Sequence, residues 1–125
     1  MLGRYFDKIL YVTGVVTLTP LLQFFSPALN LGLSGLVVSD DAGLLFARHW
    51  GLMAACFGAL LIFAAVRPAV RKPIVMAAMV EKFGLVALIV LSWNTPALAG
   101  LHLAALFDGA CVLIYGAYVY QMRHA

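Results

Sequence analysis

The sequence predicts an all-α integral membrane protein: one antiparallel bundle of four transmembrane helices, with a surface-lying loop between the first and the second. Three observations carry that prediction. The chain has 125 residues, of which 65% are hydrophobic and 10% charged, whereas a soluble domain is about a quarter charged. It contains four apolar stretches, each long enough for the ~30 Å hydrocarbon core. Its lysines and arginines fall in alternate connections, as an even number of spans requires. No soluble fold of this size hides so much apolar surface, so lipid is the expected solvent for a single domain covering residues 1–125.

The first span is expected over residues 8–25. Its basic start (Arg4, Lys8) and the run Ser26-Pro27-Ala28 also have the look of a cleavable leader. We read the segment as a transmembrane helix kinked at Pro20. Proline offers no N–H to the carbonyl four residues back, that of Val16, so a neighbouring helix or a hydroxyl of Thr13, Thr17 or Thr19 must compensate. Residues 26–43 follow, too polar to span and too apolar for a free linker. They are expected to lie on the membrane surface or fold back as a cap, with Asp40 or Asp41 capping the next helix. The remaining spans are expected over residues 44–66, 74–93 and 101–121. Their short connections make them antiparallel neighbours.

Charge then orients the bundle. Arg4 and Lys8, the group Arg67, Arg71 and Lys72, and Arg123 all fall on one side. Asp40, Asp41 and the uncharged residues 94–100 fall on the other. The positive-inside rule puts both termini in the cytoplasm, with Trp50 and Trp93 near the outer interface and Tyr118 and Tyr120 near the inner one. Small residues at interface spacing (Gly51, Ala55 and Gly58; Ala105, Gly109 and Gly116) allow close helix approach, within one chain or between copies.

The candidate site is the set of ionisable residues inside these spans: Arg48, His49, Glu81, Lys82 and Asp108. Each costs roughly 2.5–3.5 kcal/mol at the bilayer centre, so such groups face the bundle interior and pair or line a cavity. At ~1.5 Å per residue, Arg48 sits roughly 10 Å outward of the midplane and Asp108 roughly 4–5 Å outward, within reach if their helices are neighbours. The formal charges of Arg48, Glu81, Lys82 and Asp108 sum to zero, as a self-compensating network requires. Helical spacing groups Asp108 with Tyr115, Glu81 with Ala77, Gly84 and Leu88, and Arg48 with Gly51, Ala55 and Gly58. Tyr11, Thr13, Thr17, Thr19 and Gln23 would complete a polar lining.

Several chemistries are disfavoured. Cys56 and Cys111 lack CxxC spacing and a flanking histidine, which argues against thiol–disulfide exchange and structural zinc. They read as small packing residues, with a buried disulfide as the alternative. His49 and His102 lie toward the outer side, where helix-end histidines act mostly as interfacial hydrogen-bonders and rarely as haem or metal ligands. No metal site is expected, and no cofactor is indicated. The basic residues form no run, so no nucleic-acid partner is expected.

The run Arg48-His49-Trp50-Gly51 opening the second span, the Arg67-Pro68 stop, Glu81 in the third span and Asp108 in the fourth are similar to the DoxX-like group of small four-helix bacterial membrane proteins. That resemblance covers most of the chain and implies architecture more than activity. It also implies a bacterial inner membrane. Some members resemble subunits of quinone-linked redox enzymes, and others accompany unrelated membrane machinery.

Three functions remain open at this point. The first is an accessory or complex subunit, with a membrane protein or a second copy as partner. The second is a small enzyme or binder for a lipophilic molecule (quinone, isoprenoid or sterol-like). There Glu81 and Asp108 act as acid and base, Arg48 or His49 polarises an oxygen, and Tyr115, Thr17 and Lys82 contact the ligand. The third is a proton-coupled transporter using Glu81 or Asp108.

Overall fold

A computed structural model describes residues 2–33 and 35–124; the side chains of residues 2–4 and 122–124, Arg4 and Arg123 among them, lie outside that description. The described residues are all-helical. The helices are α1 (Leu2–Leu18), α2 (Leu21–Phe25), α3 (Pro27–Leu33), α4 (Asp41–Val66), α5 (Arg71–Leu91) and α6 (His102–His124), with 3-10 turns at Pro68–Val70 and Pro96–Leu101. Four segments are long and apolar enough to cross a membrane: Tyr5–Phe25, Asp41–Val66, Pro68–Leu91 and Pro96–Gln121. Their outward faces carry the exposed apolar residues Val12, Phe83, Leu106 and Leu113.

Pro20 interrupts the first span. Helix α1 stops at Leu18 and α2 resumes at Leu21. The carbonyl of Val16 is satisfied by Thr19, whose Oγ1 donates to it at 2.7 Å and whose N–H donates at 3.1 Å. The hydroxyl compensation expected from the sequence therefore comes from Thr19.

Helix α3 ends in a Schellman motif. Leu36 N–H bonds to Leu31 O at 2.9 Å and Gly35 N–H to Gly32 O at 3.0 Å. Gly35 takes φ +72°, a left-handed conformation that costs other residues ~1–2 kcal/mol. Asp40 caps α4, its carboxylate accepting from Gly43 N–H at 2.8 Å.

The helices pack in a ring: α1 on α4, α4 on α5, α5 on α6, and α6 back on α1. Helices α1 and α4 meet through glycine. A Cβ on Gly58 would stand 2.6 Å from Leu18 N and 2.7 Å from Gly14 O, and one on Gly51 would stand 2.5 Å from Pro20 O. Gly51 and Gly58 were legible as close-approach residues; Gly14, the partner of Gly58, was not.

One end of the bundle is solid. Leu10, Leu61, Val75 and Ala78 are fully buried there, and Phe6 stacks on Tyr118 (centroids 3.7 Å apart, 4° between planes) and meets Tyr115 edge-on at 6.1 Å. Arg71 belongs to this packed end rather than to an exposed basic loop. It is buried, and its guanidinium donates to Ala64 O at 2.9 Å and Ala65 O at 3.0 Å. These are carbonyls of the last turn of α4, which have no partner within the helix.

Candidate functional site

The buried face of α5 is Arg71, Val75, Ala78, Lys82 and Ile89. Lys82 therefore points inward and Glu81 sits at the edge, whereas Ala77, Gly84 and Leu88 are exposed. The inward face is one helical position away from the stripe expected through Glu81. Lys82 is 2% exposed, and its Nζ donates to Asp108 Oδ1 of α6 at 3.0 Å and to Thr17 Oγ1 of α1 at 3.1 Å. It also lies 5.1 Å from the centroid of the Phe107 ring. One ammonium thus ties three helices together.

Thr17 accepts that bond because its own proton goes to Thr13 O at 2.6 Å. Thr13 repeats the pattern, donating to Ile9 O at 2.8 Å. Its Oγ1 also lies 2.5 Å from Tyr115 Oη, which makes the tyrosine the donor of that bond. Tyr115 is fully buried in the packed end.

Arg48 does not reach Asp108. Helices α4 and α6 lie across the ring from each other, and Arg48 is exposed, with its Nε donating to Phe24 O at 2.9 Å and its guanidinium over the Phe24 ring. The interior set is therefore Glu81, Lys82 and Asp108, formally −1 rather than neutral. His49 is exposed. His102 stacks on Trp93 (centroids 3.6 Å apart, 5° between planes) and contacts its carbonyl oxygen at 3.1 Å. Among the described residues no group of three or more His, Cys, Asp or Glu side chains gathers as a metal site. Cys56 and Cys111 are both free.

Beside the Lys82–Asp108 pair lies a cavity of about 490 Å³, within the range of roughly 300–1,000 Å³ of small-molecule sites. Its walls are apolar, among them Val16, Leu31, Leu36, Leu85, Leu103 and Phe107. Its polar groups are Thr17, Thr19, Gln23, Asn30, Glu81, Lys82 and Asp108. Gln23 is buried and fixed at both ends of its amide: Nε2 donates to Ala47 O at 2.6 Å and Oε1 accepts from Asn30 at 2.9 Å.

A second cavity of about 320 Å³ lies between α4 and α5. It shares Trp50, Ala54, Glu81 and Leu85 with the first. Glu81 stands at the junction, and its Oε2 is a buried oxygen with no hydrogen-bond partner.

The structure thus brings Glu81, Lys82, Asp108 and Thr17 together at one cavity and leaves Arg48, His49 and Tyr115 outside it. The cavity roles of Trp50 and Asn30 were not foreseen. Asn30, with Leu31 and Leu36, belongs to the connection between spans, and neither periodicity nor charge indicates which way such a segment folds.

Fold and site together define a class: an all-helical chain with four membrane-length helices around a cavity floored by a buried ion pair. Comparison with models of known protein families, with curated proteins and with solved structures finds no match to this chain.

Proposed function

We propose that this is an integral membrane protein that binds a lipophilic small molecule between its helices. The cavity carries the reading: apolar walls around a few fixed polar groups are what such a ligand needs. In this reading the bundle is antiparallel, with both termini on the cytoplasmic side. The short connections between α4, α5 and α6 and the basic residues Lys8, Arg67 and Lys72 support that orientation. The segment from Pro27 to Asp40 lies at the outer surface as a roof, a placement supported by Asn30, Leu31 and Leu36 in the cavity wall. The likeness to DoxX-like proteins is part of this proposal and would place the chain in a bacterial inner membrane.

Lys82 and Asp108 already neutralise one another, so they serve the site as a rigid polar floor. Glu81 is the group with hydrogen-bonding capacity to offer a ligand, and it would be the acid or base in any reaction at this site. Native mass spectrometry of protein released gently from membranes tests the reading. A bound lipophile of defined mass is expected, and Ala54→Phe, which fills the cavity wall, is expected to remove it. Protein that flies empty from every mild preparation sinks the proposal.

A second reading, an accessory subunit docking a membrane partner or a second copy, is favoured by Gly109. A Cβ there would meet nothing within 4 Å, so this glycine serves no packing within the chain, and it is flanked by the exposed Leu106 and Leu113. Under that reading Gly109→Leu would break a defined oligomer or complex seen in the same spectra.

A further inference from the structure

Resting on the lipophile-binding reading, we infer that the ligand is a single-chain amphiphile with a hydrogen-bond-donating head, an alcohol or an amine. The head is held by Glu81, and the tail leaves sideways into lipid through the gap between α4 and α5.

The head assignment follows from counting donors and acceptors around the cavity. An ammonium has three N–H groups. Two of those on Lys82 go to Asp108 Oδ1 and Thr17 Oγ1, and the ammonium lies beside the Phe107 ring. The lining hydroxyls are committed as well, Thr17 to Thr13 O and Thr19 to Val16 O. Gln23 and Asn30 each direct one amide N–H at a protein acceptor, Ala47 O and Gln23 Oε1, which fixes both amides in place away from Glu81. On the acceptor side, Glu81 Oε2 is buried with nothing to accept from. What Glu81 lacks is a donor. A carbonyl or carboxylate head would find Lys82 already engaged and would stand against two carboxylates, Glu81 and Asp108. A hydroxyl or ammonium supplies what is missing, and the ammonium also balances the formal −1 of the cluster.

The tail path follows from the second cavity. It begins at Glu81 and Leu85, where the first ends, and runs along Met53, Phe57, Val80 and Leu88. Met53, Val80 and Leu88 are exposed on the outer face of the bundle. Gly84 forms part of its floor, and a side chain there would meet nothing within 4 Å. The glycine keeps the groove open without being needed for packing.

Trp50 lines both cavities and is one of only two tryptophans, so Trp93→Phe protein in nanodiscs has a reporter at the junction. The probes are 11-bromoundecanol, 11-bromoundecylamine and 11-bromoundecanoic acid, whose bromine quenches indole fluorescence. Saturable quenching by the alcohol and the amine is expected at concentrations about tenfold or more below those for the acid. Glu81→Leu, apolar and easily accommodated at this edge position, is expected to abolish that preference. Glu81→Gln is expected to keep the alcohol and weaken the amine. Gly84→Leu fills the groove and is expected to weaken all long-chain probes about tenfold while leaving hexanol and hexylamine, used as competitors, unaffected.

Equal affinity for the three heads, or preference for the acid, overturns the head assignment. A head preference that survives Gly84→Leu at full strength for long chains overturns the lateral path. Absence of saturable quenching by any probe, together with empty native spectra, overturns the lipophile reading and this inference with it.

Discussion

Lys82 and Asp108 form a buried ion pair, Nζ to Oδ1 at 3.0 Å, between neighbouring helices. The same ammonium reaches Thr17 on a third helix. Taking two charges out of water carries a desolvation penalty that good geometry only just offsets, so such a pair is better evidence of register than of stability. Here it fixes the rotation of α1, α5 and α6 about one point and leaves Glu81 alone at the cavity edge.

A double-mutant cycle separates those roles. Lys82→Met leaves Asp108 buried without its cation and is expected to cost about 3–5 kcal/mol. Lys82→Met combined with Asp108→Leu removes both charges and is expected to return most of that loss, to within about 1–2 kcal/mol of the parent. Unfolding by sodium dodecyl sulfate from mild detergent, followed by circular dichroism, gives the values. Additive losses in the double variant would mean that the two side chains act separately.

The contact between α1 and α4 makes a steric prediction. A methyl on Gly58 would press on the backbone atoms Leu18 N and Gly14 O, which cannot rotate away as a side chain can. Gly58→Ala is expected to destabilise by about 1–3 kcal/mol, the usual range for overpacking. Gly109→Ala meets open space and is expected to leave stability within about 0.5 kcal/mol or raise it, since alanine is the better helix former. The same detergent unfolding measures both, and equal effects at the two glycines would contradict the packing.

Tyr115 tests the threonine ladder. Its hydroxyl donates to Thr13 Oγ1 inside the packed end of the bundle. Tyr115→Phe keeps the ring against Phe6 and removes the hydroxyl that makes that bond, so a loss of about 0.5–1.5 kcal/mol is expected. Because Tyr115 lies outside the cavity, saturable binding of the brominated alcohol by this variant is expected to be unchanged. Weakened binding at unchanged stability would bring Tyr115 back as a ligand contact.

The four membrane-length helices were legible because lipid imposes a length and composition on whole segments, and residues such as Asp40 and Pro20 punctuate them. Lateral rotation was harder to read. A helix that is apolar on all sides gives a soluble-type period little to work with, so small residues stood in as the interface signal. That worked for α4, where Gly58 meets α1 and Gly51 meets Pro20 and α2. It failed for α5, where Gly84 faces out and Lys82, flanked by Ala78 and Val75, faces in. The Arg48–Asp108 pairing failed for a different reason. Depth along the helices was consistent with it, but neighbourhood in the ring is set by packing, and α4 and α6 lie across the ring from each other. Asp108 was read as an interior residue from its spacing to Tyr115, and both are buried.

Arg71 was counted among the basic residues that orient the chain, and the structure gives it a second task. Its guanidinium holds two carbonyls at the end of α4, Ala64 O and Ala65 O, where the helix dipole also favours a cation. Hydrogen bonds from charged donors contribute roughly 1.5–3 kcal/mol, so Arg71→Met is expected to destabilise by about that much. Lys72→Met, at an exposed position, is expected to change stability by less than about 0.5 kcal/mol. The local readout is amide exchange at the C-terminal end of α4. Arg71→Met should speed it across the last turn before Val66, because that turn loses the group holding it closed, while exchange near Ala55 stays slow. Topology reporters at the C-terminus provide the complementary measurement. If Arg71 mattered only as an orienting charge, Arg71→Met and Lys72→Met would shift the reporter equally and neither would alter exchange.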